Sequence, residues 1–174
     1  MRKPEQKVYD ELKRTKPYGI RMERIENGLG SGTADLHLLS QGQTVWFETK
    51  HLIVPVMATT PIIKNDTFEK DQPKWHMSIA IHGGRSYVVA KDTLGQWYLI
   101  PGKDIPKVLH ARGPAVAAAP TLQAVVTPSR GMTRKELKAG YAVAGLPELW
   151  QRVFSQKTQP PAWPSGPALR KGSP

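Results

Sequence analysis

Two acidic side chains and one lysine stand close together in the sequence, Asp35 in the run GTADLHLL and Glu48 and Lys50 in the run TVWFETK. Residues two apart on a strand share a face, so Glu48 and Lys50 point one way while Phe47 and Thr49 point the other. A hairpin between the two runs brings Asp35 beside them. Paired carboxylates repel unless a cation lies between them, and an all-oxygen donor set favours a hard ion such as Mg²⁺. A neighbouring ammonium can orient a water or stabilise charge growing on phosphorus, so the trio has the makings of metal-assisted phosphodiester hydrolysis. Taken alone, an acid-x-Lys on a strand is more often an ion pair on an exposed edge, worth little. Here Val45, Trp46 and Phe47 make the strand largely buried, and an acid and a lysine at its end then need a reason.

The elements that must position these residues can be read from periodicity. Val8, Tyr9 and Leu12 recur at helical spacing, with Pro4 suited to a first turn, and predict a helix over 4–15. Alternation predicts strands over 20–26, 34–39 and 44–50, the last two joined by Ser40-Gln41-Gly42-Gln43. Residues 51–68 fit neither period and read as a loop. A helix over 69–82 is expected to begin near Asp71 as its cap, with Pro73 in the first turn and Trp75, Ile79 and His82 facing inward. Short strands over 86–90 and 96–100 complete the order α, β, β, β, α, β, β. Beyond Pro101 the fold core is expected to end. A helical segment over 102–110 leads into an Ala/Pro/Val-rich connector over 111–128, then a helix over 133–144 opened by the capping box Thr133-Arg134-Lys135-Glu136, and another over 147–154. The division expected is therefore a core over 1–100, a basic helical extension over 101–154 and a Pro-rich, disordered tail over 155–174.

Composition narrows the function classes. The 174 residues contain no Cys, which excludes disulfides, a thiolate zinc site and a cysteine nucleophile. No apolar run approaches a membrane span, and the charged start MRKPEQKVYDELKRTK lacks the apolar stretch of a signal peptide, so a cytoplasmic protein without a membrane partner is expected. The net charge is +11, and most of it lies late: the first hundred residues hold 14 basic and 11 acidic side chains, the last 74 hold 11 and 3. A polyanion is the first partner to expect. GLGSGT over 28–33 is neither a dinucleotide fingerprint nor a P-loop, since a strand follows it; Gly30 and Gly32 instead suit a sharp turn that lets a DNA backbone approach. His37, His51, His76, His82 and His110 show no compact metal spacing and read as surface or core histidines, His51 being a weak candidate for a phosphate contact.

The ordered set Arg24-Ile25-Glu26-Asn27, Gly30-Ser31-Gly32-Thr33-Ala34-Asp35, Trp46-Phe47-Glu48-Thr49-Lys50, Lys70-Asp71-Gln72-Pro73-Lys74-Trp75 and Gly83-Gly84-Arg85-Ser86 resembles the PD-(D/E)xK nuclease superfamily. Within it, the resemblance is to VRR-NUC and Holliday-junction-resolvase-like enzymes of phage or archaeal type, over about residues 5–91. One departure is Ala34, where the family usually has proline. The resemblance implies an α/β restriction-endonuclease-like core of order αβββαβ, a mixed sheet flanked by helices. It implies Asp35 and Glu48 as ligands of Mg²⁺ or Mn²⁺, Lys50 as catalytic lysine, Gln72 as a supporting polar residue, and an acid from the first helix. Glu5 fits that last place best, with Glu11 and Glu26 as alternatives. The activity implied is endonucleolytic cutting of branched DNA or a Holliday junction by a homodimer. Lys70, Lys74, Arg130, Arg134, Lys135 and Lys138 are the phosphate contacts expected, and Arg170 and Lys171 would add non-specific attraction. The rival readings are a non-catalytic nucleic-acid-binding protein with a vestigial site and a packaging protein tethered by its Pro-rich tail.

Overall fold

Side chains alternate in direction along a strand, and the strands Arg85–Asp92 and Trp97–Pro101 are buried nearly throughout, so the sheet must be covered on both faces. In a computed structural model, which describes residues 3–25, 32–110 and 131–155, six strands form one mixed sheet in the order β1-β2-β3-β4-β5-β6. The elements are α1 (Pro4–Thr15), β1 (Arg21–Arg24), β2 (Leu36–Ser40), β3 (Gln43–Leu52), α2 (Gln72–Ile81), β4 (Arg85–Asp92), β5 (Trp97–Pro101), α3 (Ile105–Leu109), α4 (Arg134–Tyr141), β6 (Ala142–Val143) and α5 (Leu146–Phe154). Only β3 and β4 run parallel, and α2 supplies the crossover that a parallel pair requires. The order αβββαβ expected from the sequence is therefore the order observed through β4.

β2 and β3 are joined by a two-residue loop. Gln41 and Gly42 both have positive φ, 47° and 75°, and Ser40 pairs with Gln43. That backbone matches the twist of the flanking strands, and it explains why the link is short and holds a glycine. The register sets Leu36 against Phe47, then carries Phe47 against Tyr87 and Glu48 against Val88.

The two faces of the sheet are covered differently. Leu36, Leu38, Val45, Phe47, Tyr87 and Val89 face α1 and α5 and form one core with Leu12, Leu149 and Trp150. Val88, Ala90, Tyr98 and Ile100 face the other way, against α3, α4 and the segment carrying Ile62, Ile63 and Phe68. Each buried Val, Leu, Ile or Phe among them contributes about 1.5–3 kcal/mol.

Several boundaries differ from expectation for identifiable reasons. β3 continues through His51 and Leu52 because β4 pairs with it as far as Asp92. The segment after it is pinned, with Pro61 bridging to Thr133 and the Ile62 and Ile63 amides donating to the Met132 carbonyl. Asp71 occupies the N-cap position of α2 but has helical backbone angles, φ −99° and ψ −12°, and its side chain makes no cap hydrogen bond. α2 buries Gln72 and His76, one turn apart, in place of the expected Trp75, Ile79 and His82. The core does not end at Pro101: Leu137, Tyr141, Val143, Leu149 and Val153 belong to the two clusters, and β6 pairs with β5. The reason is that the sheet leaves apolar side chains of β4 and β5 on both faces, which the first hundred residues alone do not cover. The helix opened by Thr133 has the expected capping box and stops at Tyr141, where the chain turns extended to form β6. The connector 111–128 and the tail after Ser155 lie outside the described residues. Among the described residues, no helix is long and apolar enough to cross a membrane.

Candidate active site

The C-terminal half of β3 carries a buried acid. Trp46, Glu48 and Lys50 share the face covered by α2, and Glu48, between β2 and β4, is only 1% exposed. Its Oε1 accepts a hydrogen bond from Gln72 Nε2 at 2.8 Å and pairs with Lys50 Nζ at 2.8 Å. Its other oxygen, Oε2, is buried with no hydrogen-bond partner. Gln72 is fixed in turn, because its Oε1 accepts from the Glu69 amide at 3.0 Å. The Lys50 ammonium also lies 5.7 Å from the centre of the Phe68 ring, which shields it from water on that side.

Asp35 precedes β2, where β2 and β3 part company. Pairing between them begins at Leu36 with Phe47, so the Thr49 amide has no strand partner there. Asp35 Oδ2 takes that place, accepting from Thr49 N at 2.8 Å and from Thr49 Oγ1 at 2.6 Å. The residue between Glu48 and Lys50 thus anchors the second acid. Its own side chain points to the opposite face of β3 from theirs, as the alternation requires.

Burial pushes the Glu48 carboxyl up to about 7, and the Asp35 charge adds to this; Lys50 opposes the rise, and Glu5 adds a smaller push. A carboxylate with one orphaned oxygen, and a second carboxylate near enough to raise its pKa, is a group that a cation would relieve. Among the described residues no set of three acidic or histidine side chains forms a metal cage. Two carboxylates with water completing the shell nevertheless suit Mg²⁺, which keeps several waters of its own. The chemistry of the two carboxylates fits such an ion, and Asp35 and Glu48 are the residues that would hold it.

A cavity of about 220 Å³ opens beside Asp35 and Thr49, walled by Glu5, Gln6 and Tyr9 of α1 and by Arg24 of β1. Glu5 thus shares a cavity wall with Asp35, whereas Glu11 is engaged with Lys91 Nζ at 2.6 Å further along the helix. Glu26 lies outside the described residues. Arg24 donates to Gln6 Oε1 at 2.7 Å and stands 5.5 Å from the Tyr9 ring centre, a cluster the sequence reading did not single out.

The expected DNA contacts are distributed unevenly. Lys70 and Lys74 are exposed at the start of α2. Gly32 is buried, and with φ +96° a Cβ there would lie 2.8 Å from the Asp71 carbonyl carbon, so close packing against the start of α2 by itself requires a glycine. Arg134, read as a phosphate contact, instead donates to the buried Asp92 at 2.7 Å. Burial would raise Asp92, but hydrogen bonds from Arg134, Tyr98 and the Gln96 amide outweigh it and hold the carboxyl below its usual range. Lys135 and Lys138 are exposed, and Gly30 and Arg130 lie outside the described residues. His76 is fully buried with both ring nitrogens unpartnered; burial, then the Lys50 charge, lowers it to about 4, so the ring is neutral.

No protein-family model matches the chain, and no curated protein matches it. Among solved structures it is similar to a Holliday junction resolvase from the archaeal hyperthermophile Archaeoglobus fulgidus, at 16% identity and a TM-score of 0.38, over 57% of this chain and 75% of that one. At that level of likeness, the chemistry has to be argued from the residues of this chain.

Proposed function

We propose that the protein is a divalent-cation-dependent endonuclease that hydrolyses DNA phosphodiesters. The observation that carries this reading is Glu48: a buried carboxylate braced by Lys50 and Gln72, with one oxygen unpartnered and a second acid, Asp35, near enough to raise its pKa. A structural ion pair has no need of the second acid, and a core has no use for the orphaned oxygen.

In this reading Asp35 and Glu48 hold Mg²⁺ or Mn²⁺, which supplies Lewis acidity and lowers the pKa of water. The chain's own groups do the rest. Thr49 fixes the Asp35 carboxylate through two hydrogen bonds, and Gln72 fixes the Glu48 rotamer. Lys50, 12% exposed, faces the site with a charge that orients the attacking water and stabilises the negative charge added to the phosphoryl oxygens. The new P–O bond forms from water, which loses a proton, while the ester P–O bond breaks and the leaving oxygen gains one. Glu5, on the cavity wall, adds negative potential that favours the cation. Lys70, Lys74, Lys135 and Lys138 supply sequence-independent attraction to phosphates.

The finer reading is a structure-specific enzyme for branched DNA, acting as a homodimer because a junction is cut on two strands. It is supported by the resemblance of the motif set. The test is cleavage of a four-way junction, a flap, single-stranded DNA and linear duplex with Mg²⁺, Mn²⁺ or EDTA. Metal-dependent cutting that Lys50→Ala and Asp35→Ala abolish is expected, with paired symmetric cuts on the junction. Binding without cutting under every metal would sink the reading and leave a non-catalytic nucleic-acid-binding protein.

A further inference from the structure

Between Lys50 and Lys64 the chain has no acidic or basic residue other than His51; Leu52, Ile62 and Ile63 at its two ends are buried, while apolar side chains between them face solvent. Ile53, Val56 and Met57 are exposed at 75%, 105% and 67% of their reference areas. Exposed loops are ordinarily polar, so a run of this kind calls for a partner. The loop is braced at both ends: the Val54 amide donates to Thr93 Oγ1 at 3.1 Å, Thr60 N to the Met57 carbonyl at 3.0 Å, and Pro61 bridges to Thr133. Its apolar tip is therefore presented on a fixed base, at a reduced ordering cost on binding.

Two further observations say what the tip meets. The loop leaves β3 from the end that bears Glu48 and Lys50; Ile53 is three residues beyond Lys50, about 10 Å at the rise of an extended chain, and Val56 is within about 20 Å. At 3.4 Å per nucleotide that is about three to six base steps. A cleft of about 430 Å³ separates the loop from α4, with Pro55, Val56 and Ala58 on one wall, Arg134, Lys135 and Lys138 on the other, and no acid among its lining residues. Arg134 is committed to Asp92, which leaves two exposed lysines beside an apolar tip.

From this juxtaposition we infer that the loop carrying Val56 and Met57 is a wedge that inserts between stacked bases a few steps from the cut phosphate, while Lys135 and Lys138 hold the flanking phosphates. Apolar side chains that part a base step, with cations gripping the backbone alongside, are a recurrent way to kink DNA. The inference rests on the nuclease reading for its placement, and it names the feature of DNA the site would select: a step that unstacks at low cost, as at a branch point.

The test uses the full chain in EDTA with a four-way junction and a duplex, each carrying 2-aminopurine at successive single positions. Binding of the wild-type chain should raise emission several-fold at one or two positions only. The double variant Val56→Ser, Met57→Ser should keep its thermal transition, lose that rise and bind several-fold more weakly. Lys50→Ala should keep the rise while losing cleavage. Saturated binding with unchanged emission everywhere, or a double variant with the full rise, would overturn the wedge while leaving metal-dependent cutting intact. A double variant that changes only self-association in sedimentation would also overturn it, making the tip an interface between copies. Absence of any DNA binding would overturn the wedge and the nuclease reading together.

Discussion

Replacing Glu48 by Gln should make the metal-free protein more stable, and more so as pH rises. The folded chain holds the Glu48 proton up to about pH 7, whereas the unfolded chain releases it near 4.5. Between those values the folded state binds the extra proton, so stability falls as pH rises through the window and the loss is complete above it. At 1.36 kcal/mol per pKa unit, the ionised carboxylate costs roughly 3 kcal/mol at pH 8 and under about 1 at pH 5. The amide introduced by Glu48→Gln keeps an oxygen for Gln72 and Lys50 and carries no charge to desolvate. Thermal melts in EDTA should then show the variant higher by roughly 6–12 °C at pH 8, with a much smaller gap at pH 5. Excess Mg²⁺ should raise the wild-type midpoint and leave the variant unmoved, because only the ionised pair gives the cation two carboxylates. Equal gaps at the two pH values, or a variant less stable than wild type at pH 8, would refute the claim that burial of this carboxylate dominates.

Other consequences are as direct. Arg134→Ala should cost about 1–3 kcal/mol in urea denaturation, since it strips one bond from the buried Asp92, whereas Lys135→Ala and Lys138→Ala should stay within about 0.5 kcal/mol and lower DNA affinity. His76 opposes Glu48: its folded pKa of about 4 lies below 6.5, so the unfolded chain takes the proton first and this contribution falls by roughly 3 kcal/mol as pH drops between those values. Wild-type urea midpoints should therefore change little between pH 4.5 and 6.5, and those of His76→Leu should rise as pH falls, because the Glu48 contribution is then unopposed. Gly32→Ala should cost about 1–3 kcal/mol and reduce cleavage, because its Cβ would push on Asp71 beside Gln72; unchanged melting would return Gly32 to a purely DNA-facing role.

The strands, and the shared face of Glu48 and Lys50, were legible because a period of two fixes side-chain direction without any tertiary information. The hairpin was legible for a similar local reason: Gln41-Gly42 supplies the positive φ values the turn needs. The order α, β, β, β, α, β followed from these. Other features depend on what comes across from elsewhere in the chain. Thr49 anchors Asp35 only because β2 stops pairing at Leu36 and leaves an amide open, and the partly exposed Arg134 is tied down only because β4 ends in a buried Asp92. The inward face of α2 was misread for the same reason: amphipathicity selects the apolar Trp75 and Ile79, but the helix lies over Glu48, so Gln72 is buried to bond it and His76 is buried beside it. Local sequence determined the elements and the residue types able to hold a cation. The tertiary structure alone decided which polar groups meet, because a buried charge is settled by partners from distant elements and not by its neighbours in the chain.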